Sequence, residues 1–465
     1  MASSSLVSSL QGKLSPKAKV LLDAESPDFV ASMTRWSNLN VKSPFAIVQP
    51  ATQEDVVETV RAALKAGVPF VPTSGGHSPW STVGKDGIVI DLAHYRGAEV
   101  DPENHLVTVK GGTLMKELQS ALHPHKQFTA VGNGNTVGVI PYYLGGGISI
   151  WMILDTPFIG YGCENIVSAK LINAWGELVE VSENQNPELL WGIRGAGQFL
   201  GLVTELTIKT YPYSVLGNDS GQRMCGTYIF LPTQLEAVCS ALRKIAESSQ
   251  YVSAGHLMIV QAPPDLKQQV LLVAPQVFCS AEGAASFLQP LIELGPIQQM
   301  LFPSTFEKHS DHLDWVCAEG DFKSFSQIGV ANWGAENIKR LAELHAELVA
   351  SSPDTARSGY TIEWHTPCKM KRQLNTSFGH EDVDCWLNVL SWYTDPANHE
   401  LVASMDMKAQ AAMREGTQQE TFVSYTNTTR EGPLEYRYKG AERLQRLKAL
   451  KKEFDPTGVF TKELL

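Results

Sequence analysis

The sequence predicts an α+β fold, because helix-like and strand-like segments alternate from residue 45 to residue 212 and longer strands follow Pro212. In this second part, segments such as GTYIFLP, QVLLVAPQVF and YTIEWHT read as alternating strands, typical of an antiparallel sheet. The stretch GAENIKRLAELHAELVASS has helical spacing, which predicts helices on one side of that sheet. A chain of 465 residues is too long for one ordinary core, so we expect two or three domains.

The first predicted helix lies in QPATQEDVVETVRAALKAGVPF, just before a glycine-rich loop. Thr52 and Asp55 have the spacing of a capping box, and the following valines and leucine share one face. Gly67 is expected to end this helix.

The loop VPTSGGHSPW, residues 71–80, has the composition of an anion-binding turn. Pro72 stiffens the chain, while Gly75 and Gly76 remove side chains that would keep backbone N–H groups away from an anion. His77 is therefore predicted to lie at the rim of a phosphate cradle.

Charge and composition exclude several classes of protein. The formal net charge of -11 and the isoelectric point near 5.6 argue against a nucleic-acid partner. The N-terminus lacks a basic region followed by an apolar run, and no later stretch has the length of a membrane span. Seven scattered cysteines without CxxC spacing fit reduced thiols. We therefore expect a cytoplasmic protein with no membrane partner.

Three glycine-bearing segments precede residue 212: PTSGGHS, VGVIPYYLGGGIS and GIRGAGQFLGLVTE. The third is spaced GxGxxxG and precedes a strand, so it does not match the nicotinamide-binding fingerprint, which follows a strand and opens a helix. The chain also lacks a GxSxG elbow and a P-loop. HPH and HSDH lack a second half at metal-site spacing, so we expect no metal.

In this order and spacing, the three segments resemble the PCMH-type FAD-binding domain of the vanillyl-alcohol-oxidase superfamily. The tail YTN followed by RLQRLKALKKEFDPTGVF resembles the C-terminal signature of its berberine-bridge-enzyme-like branch. The resemblance implies a two-subdomain FAD-binding domain and a substrate domain of antiparallel sheet covered by helices. The predicted divisions are an N-terminal extension at 1–39, the FAD domain at 40–212, the substrate domain at 213–420 and a returning segment at 421–465.

The resemblance also implies that FAD is bound covalently, with the imidazole of His77 bonded to the 8α-methyl group of the flavin. The alternative is a noncovalent FAD loop in which His77 only forms a hydrogen bond. Ser74 and Ser149 stand where family members commonly have glycine. The implied cofactor-binding residues are Pro72, Thr73, Ser74, Gly75, Gly76, His77, Ser78, Val137, Gly138, Gly145, Gly146, Gly147, Gly162, Asn165, Val203, Tyr425 and Asn427.

Many family members attach the flavin a second time through a cysteine, and the matching position here is Gly134. We therefore expect a single attachment. Val137 matches the position at which a small side chain goes with access of O2 to the reduced flavin, which favours an oxidase. Cys163 lies in a different segment and is expected to be a packed thiol.

For proton transfer the candidate is Tyr425, which acts as a base only if its neighbours stabilise the phenolate. A buried structural tyrosine is the alternative. Aromatic residues of the substrate pocket are expected among Trp364, Trp386, Trp392 and Tyr393, which at strand spacing belong equally well to a core.

The function implied by the resemblance is an FAD-dependent oxidase. It transfers a hydride from a small organic substrate to the flavin and reduces O2 to H2O2, in secondary-metabolite biosynthesis. Alcohol or amine oxidation and oxidative cyclisation are the expected reactions. The alternatives are a carbohydrate oxidase, a cyclase or isomerase without net redox chemistry, and a binding protein that kept the scaffold.

Overall fold

A computed structural model describes residues 2–152, 159–248, 250–365 and 375–460. Cys368 and residues 461–465 of the C-terminal segment lie outside these ranges. Short 3-10 helices connect the longer elements, at Leu92–His94, His123–His125, Ile150–Met152, Gly162–Asn165, Gly197–Phe199, Tyr213–Leu216, Pro232–Gln234, Asp311–Cys317, Pro353–Thr355, Pro396–Asn398 and Gln419–Thr421.

The N-terminal part forms a four-stranded sheet with helices. Its elements are α1 (Ala2–Leu10), β1 (Lys19–Leu21), α2 (Pro27–Met33), β2 (Ala46–Gln49), α3 (Gln53–Ala66), β3 (Phe70–Thr73) and β4 (Ile88–Asp91). The strand order is β1-β2-β4-β3, with β4 parallel to β2 and β3. The capping box of Thr52 and Asp55 is present at the start of α3, and Gly67 ends that helix in the left-handed conformation, as predicted. Because β3 is an edge strand, Pro72 fits within it.

A second sheet completes the first half of the chain. Its elements are β5 (Ala98–Asp101), β6 (Leu106–Lys110), α4 (Met115–Leu122), β7 (Gln127–Phe128), α5 (Val139–Leu144), β8 (Ile166–Ile172), β9 (Leu178–Val181), α6 (Pro187–Ala196), β10 (Leu202–Lys209) and β11 (Tyr211–Pro212). The antiparallel order of the sheet is β5-β6-β10-β8-β9, and β7 and β11 pair with each other in a separate two-stranded sheet. Helices α4, α5 and α6 contribute buried residues to the core beside this sheet.

The remaining chain forms an eight-stranded antiparallel sheet and six helices that precede or follow its strands. Its elements are β12 (Gln222–Phe230), α7 (Leu235–Glu247), β13 (Ser253–Gln261), β14 (Gln269–Val277), α8 (Ala281–Phe287), α9 (Gln289–Ile292), β15 (Gln298–Thr305), β16 (Phe322–Val330), α10 (Ala335–Ser351), β17 (Gly359–His365), β18 (Cys385–Tyr393), α11 (His399–Arg414), β19 (Val423–Ser424) and α12 (Leu434–Arg437). The strand order is β15-β12-β14-β13-β17-β18-β16-β19.

The last helix, α13 (Ala441–Phe454), returns to the first half of the chain. Its Leu444, Leu447 and Leu450 join the core around α6, and the N–H of Ala174 donates to the carbonyl oxygen of Phe454 at 3.3 Å. The C-terminal segment therefore packs on the half that carries the glycine-rich loops.

The two faces of the eight-stranded sheet differ in chemistry. One face is apolar and packs against α7, α8, α10 and α11 in a single core. Side chains alternate along a strand, so cross-strand pairs share a face. The pairings place these residues together on the opposite face: Arg223, Cys225, His256, Gln276, Gln327, Glu363, His365, Trp386 and Asn388. We call this set the polar face. Its Trp386 belongs to the core of the first half, so the polar face is turned toward that half.

Candidate functional site

The glycine-rich loop after β3 packs directly against the loop that precedes α5. A Cβ atom on Gly75 would lie 1.9 Å from the carbonyl oxygen of Thr136, and one on Gly138 would lie 2.0 Å from Oγ of Ser74. Neither position leaves space for a side chain. Gly75 lets the backbones of the two loops approach each other, and Gly138 makes room for the hydroxyl of Ser74, so the loops pack closely, as a phosphate-binding turn requires.

His77 follows the two glycines and lies where these loops meet. Its Nε2 forms a 2.7 Å hydrogen bond with Oγ1 of Thr136, and its ring stacks on Trp36 with centroids 5.7 Å apart and an interplanar angle of 17°. Burial, together with the charge of Lys323, lowers the pKa of His77 to about 4. The imidazole is therefore neutral at physiological pH, which is the form with a nucleophilic nitrogen.

The second glycine-rich turn, residues 145–147, ends α5 and packs against the segment at 162–163. The N–H of Gly162 donates to the carbonyl oxygen of Gly147, and that of Cys163 to the carbonyl oxygen of Gly146, both at 2.8 Å. Gly147 has φ of +77°, and a Cβ atom there would lie 2.7 Å from Cα of Gly162. The structure thus brings together two segments that the sequence predicted to belong to one site.

Ser149, which replaces a glycine of the family pattern, has a structural task. Its Oγ accepts hydrogen bonds from the N–H groups of Val131 (3.2 Å) and Trp151 (3.1 Å) and donates to the carbonyl oxygen of Val131 (2.8 Å). The hydroxyl therefore ties the turn to the loop at 131, and the replacement is compatible with the fold.

Two predicted cofactor residues are engaged by the protein itself. Asn165 donates from Nδ2 to the carbonyl oxygens of Ile159 and Tyr161, both at 2.9 Å, and accepts from the hydroxyl of Tyr211 at 2.7 Å. Val203 pairs with Leu171 in the second sheet. The part these two residues play toward a cofactor stays a prediction.

Tyr425 lies between the second glycine turn and the polar face. It follows β19 and is 4% exposed, and its hydroxyl oxygen accepts from the N–H of Gly147 and from Nδ2 of Asn427, both at 3.1 Å. Burial raises the pKa of Tyr425 well above its ordinary value, although these two hydrogen bonds act in the opposite direction. The phenol is thus held in place and protonated at neutral pH.

Glu363, which the sequence analysis missed, is a buried carboxylate on the polar face. Nδ2 of Asn388 donates to its Oε2 at 3.1 Å, and Nε2 of His256 lies 3.7 Å from the same oxygen. Nε2 of His365 lies 3.5 Å from Oε1. Burial alone raises the pKa of Glu363, but the hydrogen bond and charge of His256 and the hydrogen bond from Asn388 outweigh it and lower the pKa. Glu363 is therefore ionised at neutral pH.

Several buried polar atoms at this carboxylate form no hydrogen bond within the described part of the protein. Oε1 of Glu363 and both ring nitrogens of His365 are buried and have no hydrogen-bond partner among the described residues. Unpaired buried polar atoms are costly and mark places where a ligand is expected to supply the missing bonds. Nε2 of His365 and Oε1 of Glu363 lie 3.5 Å apart, and Nδ1 of His365 is the remaining buried atom to which a bound ligand would supply a hydrogen bond.

The strand register sorts the four predicted pocket aromatics. Trp364 and Tyr393 lie on the apolar face and belong to the core under the helices. Trp386 lies on the polar face, stacks on Phe378 with centroids 6.1 Å apart and meets Tyr425 edge-on at 6.1 Å. Trp392 lies at the far end of its strand, where Nζ of Lys323 is 4.4 Å from its ring centroid. Only Trp386 contacts Tyr425 among these four.

Buried histidines should make the fold sensitive to acid. Burial lowers the pKa of both His365 and His380 to about 4, whereas an unfolded imidazole titrates near 6.5. The unfolded chain then binds more protons between these values, so the unfolding free energy should fall as pH drops from 6.5 toward 4, on the order of 1 to 3 kcal/mol per imidazole. Urea denaturation at pH 7, 5.5 and 4.5 would measure this, and His380→Asn should flatten the dependence while His125→Asn, at an exposed position, should not. A stability that is constant over this interval would contradict it.

Comparisons with known proteins decide the family. A family model described as FAD binding domain matches residues 44–182. FAD-linked oxidoreductase hasG from Aspergillus fumigatus is 30% identical over 466 residues, which cover 95% of each chain. This chain belongs to the FAD-linked oxidoreductases.

Solved structures agree with this family in fold. BBE-like 1 from Physcomitrella patens matches with a TM-score of 0.81 and 17% identity, covering 100% of this chain and 98% of that one. Glucooligosaccharide oxidase from Acremonium strictum, whose structure is described as containing a 6-S-cysteinyl, 8α-N1-histidyl FAD, matches with a TM-score of 0.78 and 19% identity, covering 99% and 98%. These two matches confirm the predicted α+β fold. The FAD binding domain and the FAD-linked relative confirm that the chain is an FAD-dependent oxidoreductase, as the resemblance to the PCMH-type FAD-binding family implies.

The residues present fit FAD. The FAD-linked oxidoreductase has two glycine turns at which a Cβ atom would meet backbone, a neutral imidazole between them, and unpaired polar atoms on the sheet that faces them. In the described part of the chain, no helix is both long and apolar enough to span a membrane.

Proposed function

We propose that this FAD-dependent oxidoreductase is an oxidase that removes a hydride and a proton from a small organic substrate bound at the polar face. The observation that carries the proposal is the buried, ionised Glu363, whose cross-strand neighbour Trp386 contacts Tyr425 at the second glycine turn. FAD, when bound, accepts the hydride and passes the electrons to O2, which leaves as H2O2. The small side chain of Val137, beside the loop at 134, supports O2 as the acceptor.

His77 is proposed to carry the flavin through a bond to its 8α-carbon. In support, Nε2 of His77 is engaged with the hydroxyl of Thr136. When Nε2–H donates to this oxygen, Nδ1 carries the lone pair and is the nitrogen available for the bond. Thr136 thus holds Nε2 and leaves Nδ1 free of that contact, and Trp36 fixes the plane of the ring.

Glu363 is proposed as the proton acceptor, and Tyr425 as the residue that orients the reacting group of the substrate. A carboxylate with a lowered pKa is ionised and ready to accept a proton, whereas the phenol of Tyr425 is protonated and able to donate a hydrogen bond. His256 and Asn388 keep Glu363 in its charged form. The sequence predicts Tyr425 as the base. The proposal assigns that role to Glu363 instead.

The proposed substrate is an alcohol, an amine or a precursor of oxidative cyclisation in secondary-metabolite biosynthesis, and the proposed location is the cytoplasm. A carbohydrate oxidase is the second candidate, since glucooligosaccharide oxidase has the same fold. A cyclase or isomerase without net redox turnover is distinguished by oxygen consumption: an oxidase consumes one O2 and forms one H2O2 for each substrate converted.

The proposed cofactor linkage predicts that the purified protein is yellow and keeps its flavin after denaturation. The intact mass should exceed that of the polypeptide by one FAD, and the denatured band should fluoresce on a gel. His77→Ala should lose the attachment through this residue but still bind FAD, because bare backbone and not the imidazole forms the cradle. Cys163→Ala is the matched control, since this thiol is fully buried and its pKa is raised well above the ordinary value. A colourless, folded protein that takes up no added FAD would refute the proposed function.

A further inference from the structure

Gly134, where the sequence lacks the second cysteine, is next to a cysteine from another part of the chain. A Cβ atom built on Gly134 would lie 3.2 Å from Sγ of Cys317 and 2.9 Å from Cγ2 of Val137. Cys317 ends the 3-10 helix Asp311–Cys317, 183 residues further along the sequence than Gly134. The side chain missing from position 134 is thus replaced in space by a thiol that projects from the opposite side.

Hydrogen bonds fix this helix on the loop that carries Gly134. The N–H of Gly134 donates to Oγ of Ser310 at 3.0 Å. Nδ2 of Asn135 donates to carboxylate oxygens of Asp311 at 2.9 Å and Asp314 at 2.6 Å. Oδ1 of Asn135 is buried and has no partner among the described residues, so it is an acceptor that awaits a donor. The position of Cys317 follows from these contacts and not from chance proximity of a flexible side chain.

The same short helix is connected to His77. Nε1 of Trp36, the residue on which His77 stacks, donates to the carbonyl oxygen of Val316 at 2.6 Å. Nζ of Lys323, which is 1% exposed, donates to the carbonyl oxygens of Ala318 at 2.5 Å and Trp36 at 2.7 Å. The residues on both sides of Cys317 are therefore held by the assembly that holds His77. The imidazole and the thiol border one loop, residues 134–137.

We propose that Cys317 is a second attachment site for the flavin, bonded through Sγ to carbon 6 of the ring system. This inference rests on the proposed linkage at His77. The thiol loses its proton, carbon 6 loses its hydrogen, and the two electrons pass to O2, which takes up both hydrogens and leaves as H2O2. Glucooligosaccharide oxidase also attaches its FAD through a cysteine and a histidine. In this protein the proposed cysteine comes from the half of the chain that forms the eight-stranded sheet.

Accessibility separates Cys317 from most other described cysteines. Cys163, Cys225, Cys239 and Cys385 are buried, whereas Cys317 is half-buried. Cys279 is also half-buried, but it lies beyond β14, next to α8 on the helical side of the sheet. A thiol must be both reachable and beside the cofactor to form the bond.

Trypsin gives a direct test, because it releases Cys317 in the peptide 309–323 and His77 in the peptide 66–85. Protein purified with its flavin and denatured in iodoacetamide should yield one species in which FAD joins these two peptides, with no alkylated Cys317. Cys317→Ser should yield FAD on 66–85 alone, and His77→Ala should yield FAD on 309–323 alone. Cys279→Ser, the matched half-buried control, should leave the joined species unchanged.

Two outcomes overturn the inference and differ from failure of the proposed function. FAD on 66–85 alone, with Cys317 fully alkylated in the unchanged protein, would exclude the second bond while keeping the linkage at His77. A joined species that persists in Cys317→Ser would assign the second bond to another residue. Absence of flavin from 66–85 would instead reject the linkage at His77 itself.

Discussion

Glu363→Gln should lower the rate of flavin reduction by about 10²- to 10⁴-fold, the range expected when a general base is lost. Glutamine preserves the size of the side chain and its hydrogen bond from Asn388, so the polar face keeps its shape. It has no charge, however, and does not accept a proton from the substrate at neutral pH. Anaerobic mixing of the flavin-loaded enzyme with substrate, followed by loss of flavin absorbance, measures the step directly.

Asp406→Asn is the matched control for this substitution. Asp406 is also a buried carboxylate, and it accepts hydrogen bonds from Ser324 at 2.8 Å and Ser391 at 2.6 Å, but it lies on α11 on the other face of the sheet. Asp406→Asn should change the free energy of unfolding, because Asp406 stabilises the surrounding structure. It should leave the rate of flavin reduction within about twofold of the unchanged protein, because Asp406 takes no part in the reaction. Reduction at an unchanged rate in Glu363→Gln would show that another group takes the proton.

The pH profile gives an independent check on the same residue. Because the pKa of Glu363 is lowered, its carboxylate is ionised throughout the neutral range and down to pH values below the ordinary titration of a glutamate. The rate of flavin reduction should therefore be flat on the acid side until the fold itself loses stability below pH 6.5. A base with an ordinary phenolic pKa would instead give a rate that rises toward pH 10.

The glycine-rich loops could be predicted from the sequence because the need for glycine there is set by the local backbone. Gly75 and Gly147 lie where backbone approaches backbone, and the order of the glycine-rich segments along the chain limits the folds that can use them. The same holds for α3, where Thr52 and Gly67 mark the two ends. Signals of this kind involve few neighbouring residues, so they can be recognised in the sequence even when the segment that packs against them is not known.

Glu363 was not predicted, because its role depends on a residue of the neighbouring strand. In YTIEWHT the period of two places Glu363 and His365 on one face and Ile362 and Trp364 on the other. That alternation was visible, but whether the face with the acid meets helices or the flavin-binding half depends on the strand order. The pairing with His256, more than 100 residues earlier, completes the site. Trp364, one of the candidate pocket aromatics, lies on the other face, in the core that was its alternative position.

Cys317 shows the same limit more sharply. In the sequence, the position that matches the second attachment site is Gly134, which has no thiol. The fold supplies one from a 3-10 helix between β15 and β16, and only the packing of that helix on the loop at 134 reveals it. Contacts between segments so far apart depend on the register of an eight-stranded sheet, which composition and periodicity do not specify.

Tyr425→Phe should slow flavin reduction by about 10²-fold while the flavin stays bound. The phenyl ring keeps its contacts with Phe378 and Trp386, and only the hydroxyl that accepts from Gly147 and Asn427 is removed. That hydroxyl joins the second glycine turn to the substrate face, so its loss frees the N–H of Gly147 and leaves the reacting group without its hydrogen-bond partner. The flavin spectrum before mixing and the reduction rate after mixing separate binding from chemistry.

Tyr360→Phe provides the control, since Tyr360 is equally buried but lies on the apolar face in the helical core. It should leave the reduction rate unchanged.

The double variant Tyr425→Phe/Glu363→Gln then tests whether the two residues act as one unit. If the phenol orients the group whose proton the carboxylate takes, the double variant should be little slower than Glu363→Gln alone. Orienting that group does not raise the rate when the proton acceptor is missing. Losses that multiply would instead mean that Tyr425 and Glu363 act in separate steps, and an unchanged rate in Tyr425→Phe would reduce the phenol to a structural support of the glycine turn.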